Sequence, residues 1–169
     1  MVWVASLLAC LALPLATADA PTCPPGWTLL PTVGAGVVIG TCYYESDYES
    51  NWVSAKRTCE QFVHPEDPTI KGALASVHSL YENAFIFDNV TNSRNAWLGL
   101  NQRQNVGDWV WDDDTRVNFE FWLAGYPKAD DGLDCVSQAS PLQSRCGEWV
   151  NADCTTNVHF ACEMAAKTA

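Results

Sequence analysis

The sequence predicts an α+β fold, on three observations. Trp52, Ala55, Cys59 and Phe62 recur at i, i+3, i+7 and i+10, the apolar stripe of an amphipathic helix. After Asn95 the pattern changes to short aromatic runs of strand type, separated by turns rich in Asp, Asn and Gly. Seven cysteines lie beyond residue 20, and in an oxidising compartment such a set reads as a disulfide framework.

The elements follow in chain order. Residues 2–16 are apolar except for Ser6 and Pro14, and Ala18-Asp19-Ala20 supplies a small-x-small cleavage pattern. We read residues 1–20 as a secretory signal peptide and residues 21–169 as one extracellular domain beginning at Pro21. The apolar run is short of the ~20 residues a membrane span needs. No later stretch has the length and apolarity of a membrane anchor, so the expectation is a secreted protein. Cys10 leaves with the leader. The formal net charge of −11 argues against nucleic acid as a partner, because phosphates are neutralised by a basic face.

Residues 31–42, rich in Gly and Val, read as a β-hairpin or extended loop. The first helix carries the Trp52 stripe and ends at His64-Pro65-Glu66-Asp67-Pro68. A second helix starts at the S-x-x-E capping box of Ser79 and Glu82, with Leu80, Ala84, Phe85 and Phe87 around it. Strands follow at Trp97-Leu98-Gly99-Leu100, Trp109-Val110-Trp111, Cys135-Val136, Glu148-Trp149-Val150 and His159-Phe160-Ala161-Cys162. Between the second and third lies a long loop, residues 112–134, of a length that marks function or an anchor. The cysteines form no C-x-x-C pair, and six of the seven allow 15 pairings that spacing cannot separate. His64, His78 and His159 stand apart, with no H-E-x-x-H and no nucleophile elbow, so nothing points to an enzyme.

In order along the chain, these landmarks resemble the C-type lectin-like domain family. The matching residues are Cys59, Leu74-Ala75-Ser76-Val77, Ser79 with Glu82, Asn83 and Phe85, then Trp97-Leu98-Gly99-Leu100 and the Trp109/Trp111 pair. They continue through Phe121-Trp122, Gly125 with Pro127, Asp134-Cys135-Val136, Trp149 five before Cys154, and Phe160-Ala161-Cys162-Glu163. The resemblance implies two helices packed on short antiparallel sheets, with a long disulfide-anchored loop. It also implies the bridges Cys59–Cys162, Cys135–Cys154 and, as in the long form with an N-terminal hairpin, Cys23–Cys42. Cys146 is left over, and an odd cysteine in a secreted chain suggests a free thiol, a rearranged bridge or a covalent dimer.

Family lectins hold sugar through a loop calcium, whose oxygens come from Glu-Pro-Asn or Gln-Pro-Asp, a Glu before Asp-Cys, and Trp-Asn-Asp. Here the triplet is Tyr126-Pro127-Lys128, Leu133 replaces the Glu, and Val150 and Asn151 follow Trp149. Only Asn151 keeps a suitable oxygen. A displaced calcium site would draw on Asp130, Asp131, Asp134 and Asp153, with Asp112, Asp113 and Asp114 a second acidic cluster. The alternative for these carboxylates is a solvated acidic loop. Tyr126, Lys128, Asp130, Asp131, Asp134 and Asn151 are accordingly the candidate ligand residues. Asn89-Val90-Thr91 is the single glycosylation sequon, and the tryptophans are expected in the core. The resemblance thus implies a secreted recognition protein for a glycan or glycoprotein, without the usual calcium site. The alternative is a protein-binding or structural member of the fold.

Overall fold

The computed structural model describes residues 20–34, 37–129, 132–140, 142–143 and 146–168. Residues 1–19 of the expected leader, with Cys10, and the candidates Asp130 and Asp131 lie outside the described residues. Strands β1 (Thr28–Gly34) and β2 (Val37–Glu45) pair antiparallel as the N-terminal hairpin, from Thr28 opposite Tyr43 to Gly34 opposite Val37. Helix α1 (Trp52–Gln61) starts at Asn51, whose side-chain oxygen accepts the Ser54 N–H at 3.0 Å and satisfies a donor left open by the first turn. Trp52, Ala55 and Cys59 are buried as the stripe requires. Phe62 lies just past the helix end, its N–H bonded to the Cys59 carbonyl.

The segment read only as a helix terminator does more. Strands β3 (Val63–His64) and β4 (Asp67–Lys71) form a small two-stranded sheet of their own. A short strand β5 (Ala73–Leu74) then pairs with the last strand. Helix α2 (Leu80–Phe85) is capped at Ser79, whose side-chain oxygen accepts the Glu82 N–H at 3.2 Å, and it runs on as a π-helical segment over Ile86–Val90. Its capping box is not the reciprocal one. The Glu82 carboxylate takes the His78 N–H at 2.6 Å and the Tyr43 hydroxyl at 2.7 Å.

The buried face of this segment begins after its first turn. Leu80 is 55% exposed and Tyr81 68%, while Asn83, Ile86, Phe87 and Val90 point inward. These four follow i, i+3, i+4 and i+7, so the stripe is real but starts one turn later, on a polar residue.

The remaining strands are β6 (Ala96–Asn101), β7 (Val110–Trp111), β8 (Cys135–Gln138), β9 (Trp149–Ala152) and β10 (His159–Ala165). The main sheet runs β1-β2-β10-β6-β8-β9, with β5 also on β10 and β7 on β6. It is mixed rather than wholly antiparallel, because β10 and β6 pair in parallel at His159–Ala96 and Phe160–Trp97. Every residue of β6 is buried, as suits a strand flanked by β10 and β8 with both faces covered. The described termini meet where Thr22 and Lys167 form a bridge.

Three disulfides close the frame: Cys23–Cys42, Cys59–Cys162 and Cys135–Cys154, the pairs the family resemblance implies. Cys59–Cys162 fastens α1 to β10 across 103 residues, which in the chain-entropy model stabilises by about 4.7 kcal/mol. Cys135–Cys154, across 19 residues, ties the end of the long loop to the segment after β9 and contributes about 3 kcal/mol in the same model. Cys146 belongs to none of these bridges and is exposed; its backbone carbonyl accepts a hydrogen bond from Asn83.

Candidate functional site

The long loop leaves β7 at Trp111 and returns at Cys135. Its first residue is pinned twice. The Asp112 N–H donates to the Gly99 carbonyl at 3.0 Å, and Lys56 Nζ meets both Asp112 carboxylate oxygens at 2.6 and 2.8 Å. Desolvation pushes the Asp112 carboxyl above its ordinary value, and the Lys56 ammonium works against that shift.

Further on, Phe121 to Leu123 lie against β9. The Trp149 N–H donates to the Phe121 carbonyl at 2.7 Å, and the Leu123 N–H donates to the Trp149 carbonyl at 2.9 Å. Trp149 is the hub of this packing, edge-to-face with Trp111, Phe119 and Trp122 at centroid distances of 5.6, 5.7 and 5.9 Å. Such pairs add about 0.5–1.5 kcal/mol each beyond area burial. Trp97, Trp111 and Trp149 are in the core as expected, and Trp109 is partly exposed against Trp122.

Trp149 is also held at its polar end. Its Nε1–H donates to Asn83 Oδ1 at 2.8 Å, where Gln138 Nε2 also donates at 2.9 Å. Asn83 Nδ2 in turn donates to the carbonyls of Cys146 and Gly147. Gly147 has φ +67°, and a Cβ there would come within 2.6 Å of the Phe87 ring, so the turn closes this tightly only on glycine. Sequence reading missed Asn83 as a structural node. The signal was a polar residue at the head of the stripe that continues through Ile86, Phe87 and Val90.

Of the described candidate ligand residues, Tyr126, Lys128 and Asn151 meet at the far end of the loop. After Gly125, Tyr126 and Pro127 are joined by a cis peptide bond. Lys128 Nζ sits 4.8 Å from the Tyr126 ring centroid, a cation–π contact. Asn151, on β9 and 4% exposed, faces the same backbone. Its Oδ1 accepts the Lys128 N–H at 2.8 Å, and its Nδ2 donates to the carbonyls of Lys128 and Leu133 at 2.8 and 3.0 Å. The one amide oxygen that matched the family's ligand pattern is therefore turned inward and holds the loop.

Asp134 and Asp153 are engaged as well. Asp134 Oδ1 accepts Gln102 Nε2 at 3.0 Å, and Gln102 Oε1 accepts the Gly107 N–H at 2.8 Å. Asp153 accepts the Thr155 N–H and hydroxyl, both at 2.8 Å, and the backbone bond first, then the hydroxyl, hold its carboxyl below the ordinary value. Among the described residues, no group of three or more His, Cys, Asp or Glu side chains converges as a metal site. These residues do not fit a calcium ion at the family position: a lysine stands beside it and the remaining amide oxygen is committed. Instead, a groove of about 230 Å³ opens between Val106, Trp109, Pro127 and Lys128. The three histidines have separate partners. His64 accepts the Glu66 N–H, His78 contacts Asn118 and Ser76, and His159 contacts the Ser46 carbonyl.

With this geometry in view, the comparisons with known proteins are specific. The family model described as the lectin C-type domain matches residues 48–164. Lectin BRA-3 of Megabalanus rosa is 36% identical over 126 residues, spanning 74% of this chain and 72% of that protein. The C-type lectin domain family 17, member A, of Homo sapiens is 31% identical over 143 residues, spanning 84% of this chain but 32% of the relative. Among solved structures, a calcium-independent type II antifreeze protein superposes with a TM-score of 0.70 at 26% identity, covering 88% of this chain and 98% of that one. Scaffold, disulfides and family model agree: the chain belongs to the C-type lectin domain family.

Proposed function

We propose that this chain is a secreted recognition protein whose long-loop face binds a glycan or glycoprotein directly, without a calcium ion at the family's sugar position. The observation that carries this reading is the orientation of Asn151, whose oxygen serves the Lys128 N–H. Without a metal bridge, a sugar is held by stacking and direct hydrogen bonds. Trp109, Pro127 and Val106 offer an apolar wall, and the Lys128 ammonium over Tyr126 offers a donor beside it. The proposed leader, residues 1–20, and the exposed sequon residue Asn89 suit an extracellular route.

The test is a glycan panel on the secreted protein, with calcium and with chelator, for wild type and for Lys128→Ala. The reading expects binding that survives chelation and falls at least about tenfold in the variant. Binding abolished by chelator, and by Asp130→Ala with Asp131→Ala, would establish a displaced calcium site instead. A panel without hits in either condition favours the second reading, a protein-binding or structural member of the fold. That reading draws support from the likeness to a calcium-independent antifreeze protein.

A further inference from the structure

On the side of the domain where β10 passes the root of the long loop, a cavity of about 340 Å³ is lined by Ser76, His78, Glu82, Asp113 and Glu163, among others. At its centre Ser76 Oγ lies 2.6 Å from Glu163 Oε1, 2.9 Å from Asp113 Oδ2 and 3.2 Å from His78 Nε2. The Ser76 N–H donates to Glu163 Oε1 at 3.1 Å.

The node has more short oxygen–oxygen contacts than the serine has protons. A serine hydroxyl carries one proton and two lone pairs, and an ionised carboxylate only accepts. One O–H cannot serve two carboxylate oxygens, so two ionised groups would leave one short oxygen–oxygen contact without a proton. The histidine does not remove the deficit, because its Nε2 faces Oγ and neither carboxylate. A second carboxyl-borne proton is needed, on Glu163 or on Asp113. Asp113 Oδ1 already accepts the Thr115 N–H and hydroxyl at 3.0 and 2.6 Å. Glu163, on β10, is the other partner. Desolvation first, then the neighbouring Asp113 and Glu82, raise its carboxyl from the ordinary 4.5 to about 8, against the Ser76 hydrogen bonds.

We propose that Ser76, Glu163 and Asp113 form a proton-locked clasp that ties the last strand to the root of the long loop and loosens when the shared proton is released to solvent. Asp113 is the loop's second residue, and beside the clasp Asn118 Oδ1 accepts from His78 Nδ1 at 2.9 Å, a second hold on the loop. The groups facing Glu163 are Asp113 on the loop, Ser76 and His78 before α2, Glu82 on α2, Tyr43 on β2 and Lys71 on β4. With the proton lost, the carboxylates of Glu163, Asp113 and Glu82 face one another across the cavity.

The sign follows from linkage. The folded chain holds the proton up to about pH 8 and the unfolded chain releases it near 4.5. The stability is fully present below the lower value and lost as pH rises to the upper one, with the unfolding constant rising by up to about tenfold per pH unit between them. The experiment is unfolding of the whole protein across that range, with infrared detection of protonated carboxyl. Wild type should show a protonated-carboxyl band two units below the Glu163 value and not two units above it, together with the fall in stability. Glu163→Gln should remove both, Asp113→Asn should move the transition to lower pH, and His78→Gln should leave it in place. A Glu163→Gln profile parallel to wild type, or a band that persists in that variant, overturns the clasp. If Glu163→Gln does not fold, absence of the band in wild type at the low end overturns it alone.

Discussion

Asn83 and Ser76 sit at two junctions between the scaffold and the loops, and they solve the same problem in opposite ways. Asn83 is buried and serves four partners: two donors, Trp149 Nε1 and Gln138 Nε2, and the carbonyls of Cys146 and Gly147. An amide brings two donors and an acceptor and needs no ionisation to satisfy a dry site. Ser76 brings a single proton to a site with two carboxyls. The first junction is therefore indifferent to pH and the second is not. Asn151 repeats the amide solution at the far end of the loop, with both its oxygen and its nitrogen on the loop backbone.

The sharpest way to break this contrast is Asn83→Ala. It strands the buried Trp149 donor and the Gly147 carbonyl, while Gln138 Nε2 keeps its bond to the backbone carbonyl of residue 83, at about 1–3 kcal/mol for each group left unsatisfied. We expect a loss of about 3 kcal/mol or more in denaturant unfolding, equal on both sides of the Glu163 transition. A cost that changes with pH would show that the two junctions are coupled.

Asn151→Ala should have a smaller effect, about 1–2 kcal/mol, and a local one. Its signature is faster amide exchange at Lys128, with protection at Trp149 unchanged. Uniform loss of protection in both would mean that the loop tip and its aromatic base open together. The smallest effect on folding is expected from Lys128→Ala, because an exposed cation–π contact contributes about 0.5–1 kcal/mol. A thermal midpoint within a few degrees of wild type, with ligand binding lost, separates a contact residue from a supporting one. A large drop in stability would place Lys128 among the latter.

Much of the scaffold was legible in the sequence because its signals are local or ordered. The Trp52 stripe, the Ser79 cap and the aromatic strands are short-range patterns, and each formed where the pattern lies. Two local readings were incomplete. Residues 64–68 looked like a stop signal, and they belong to the small β3–β4 sheet, whose pairing joins Val63 to Lys71. The apolar residues around the Ser79 cap marked no face, and the inner face begins at Asn83. A hydrophobicity pattern cannot announce a buried amide, since its burial depends on partners elsewhere in the chain. The candidate ligand set was readable only as residue types.

The sequence by itself determined the α+β class, the ordered family landmarks and the loss of oxygen ligands at Tyr126, Lys128 and Leu133. Tertiary structure alone decided what the surviving groups do. It turned Asn151 onto the Lys128 backbone 23 residues away, and it brought Glu163 to Ser76 across 87 residues and Asp113 to the same hydroxyl across 37. The reason is physical. Helical and strand periodicities report neighbours a few residues apart, while hydrogen bonds of buried polar groups are set by whichever distant elements the closed sheet brings within 3 Å.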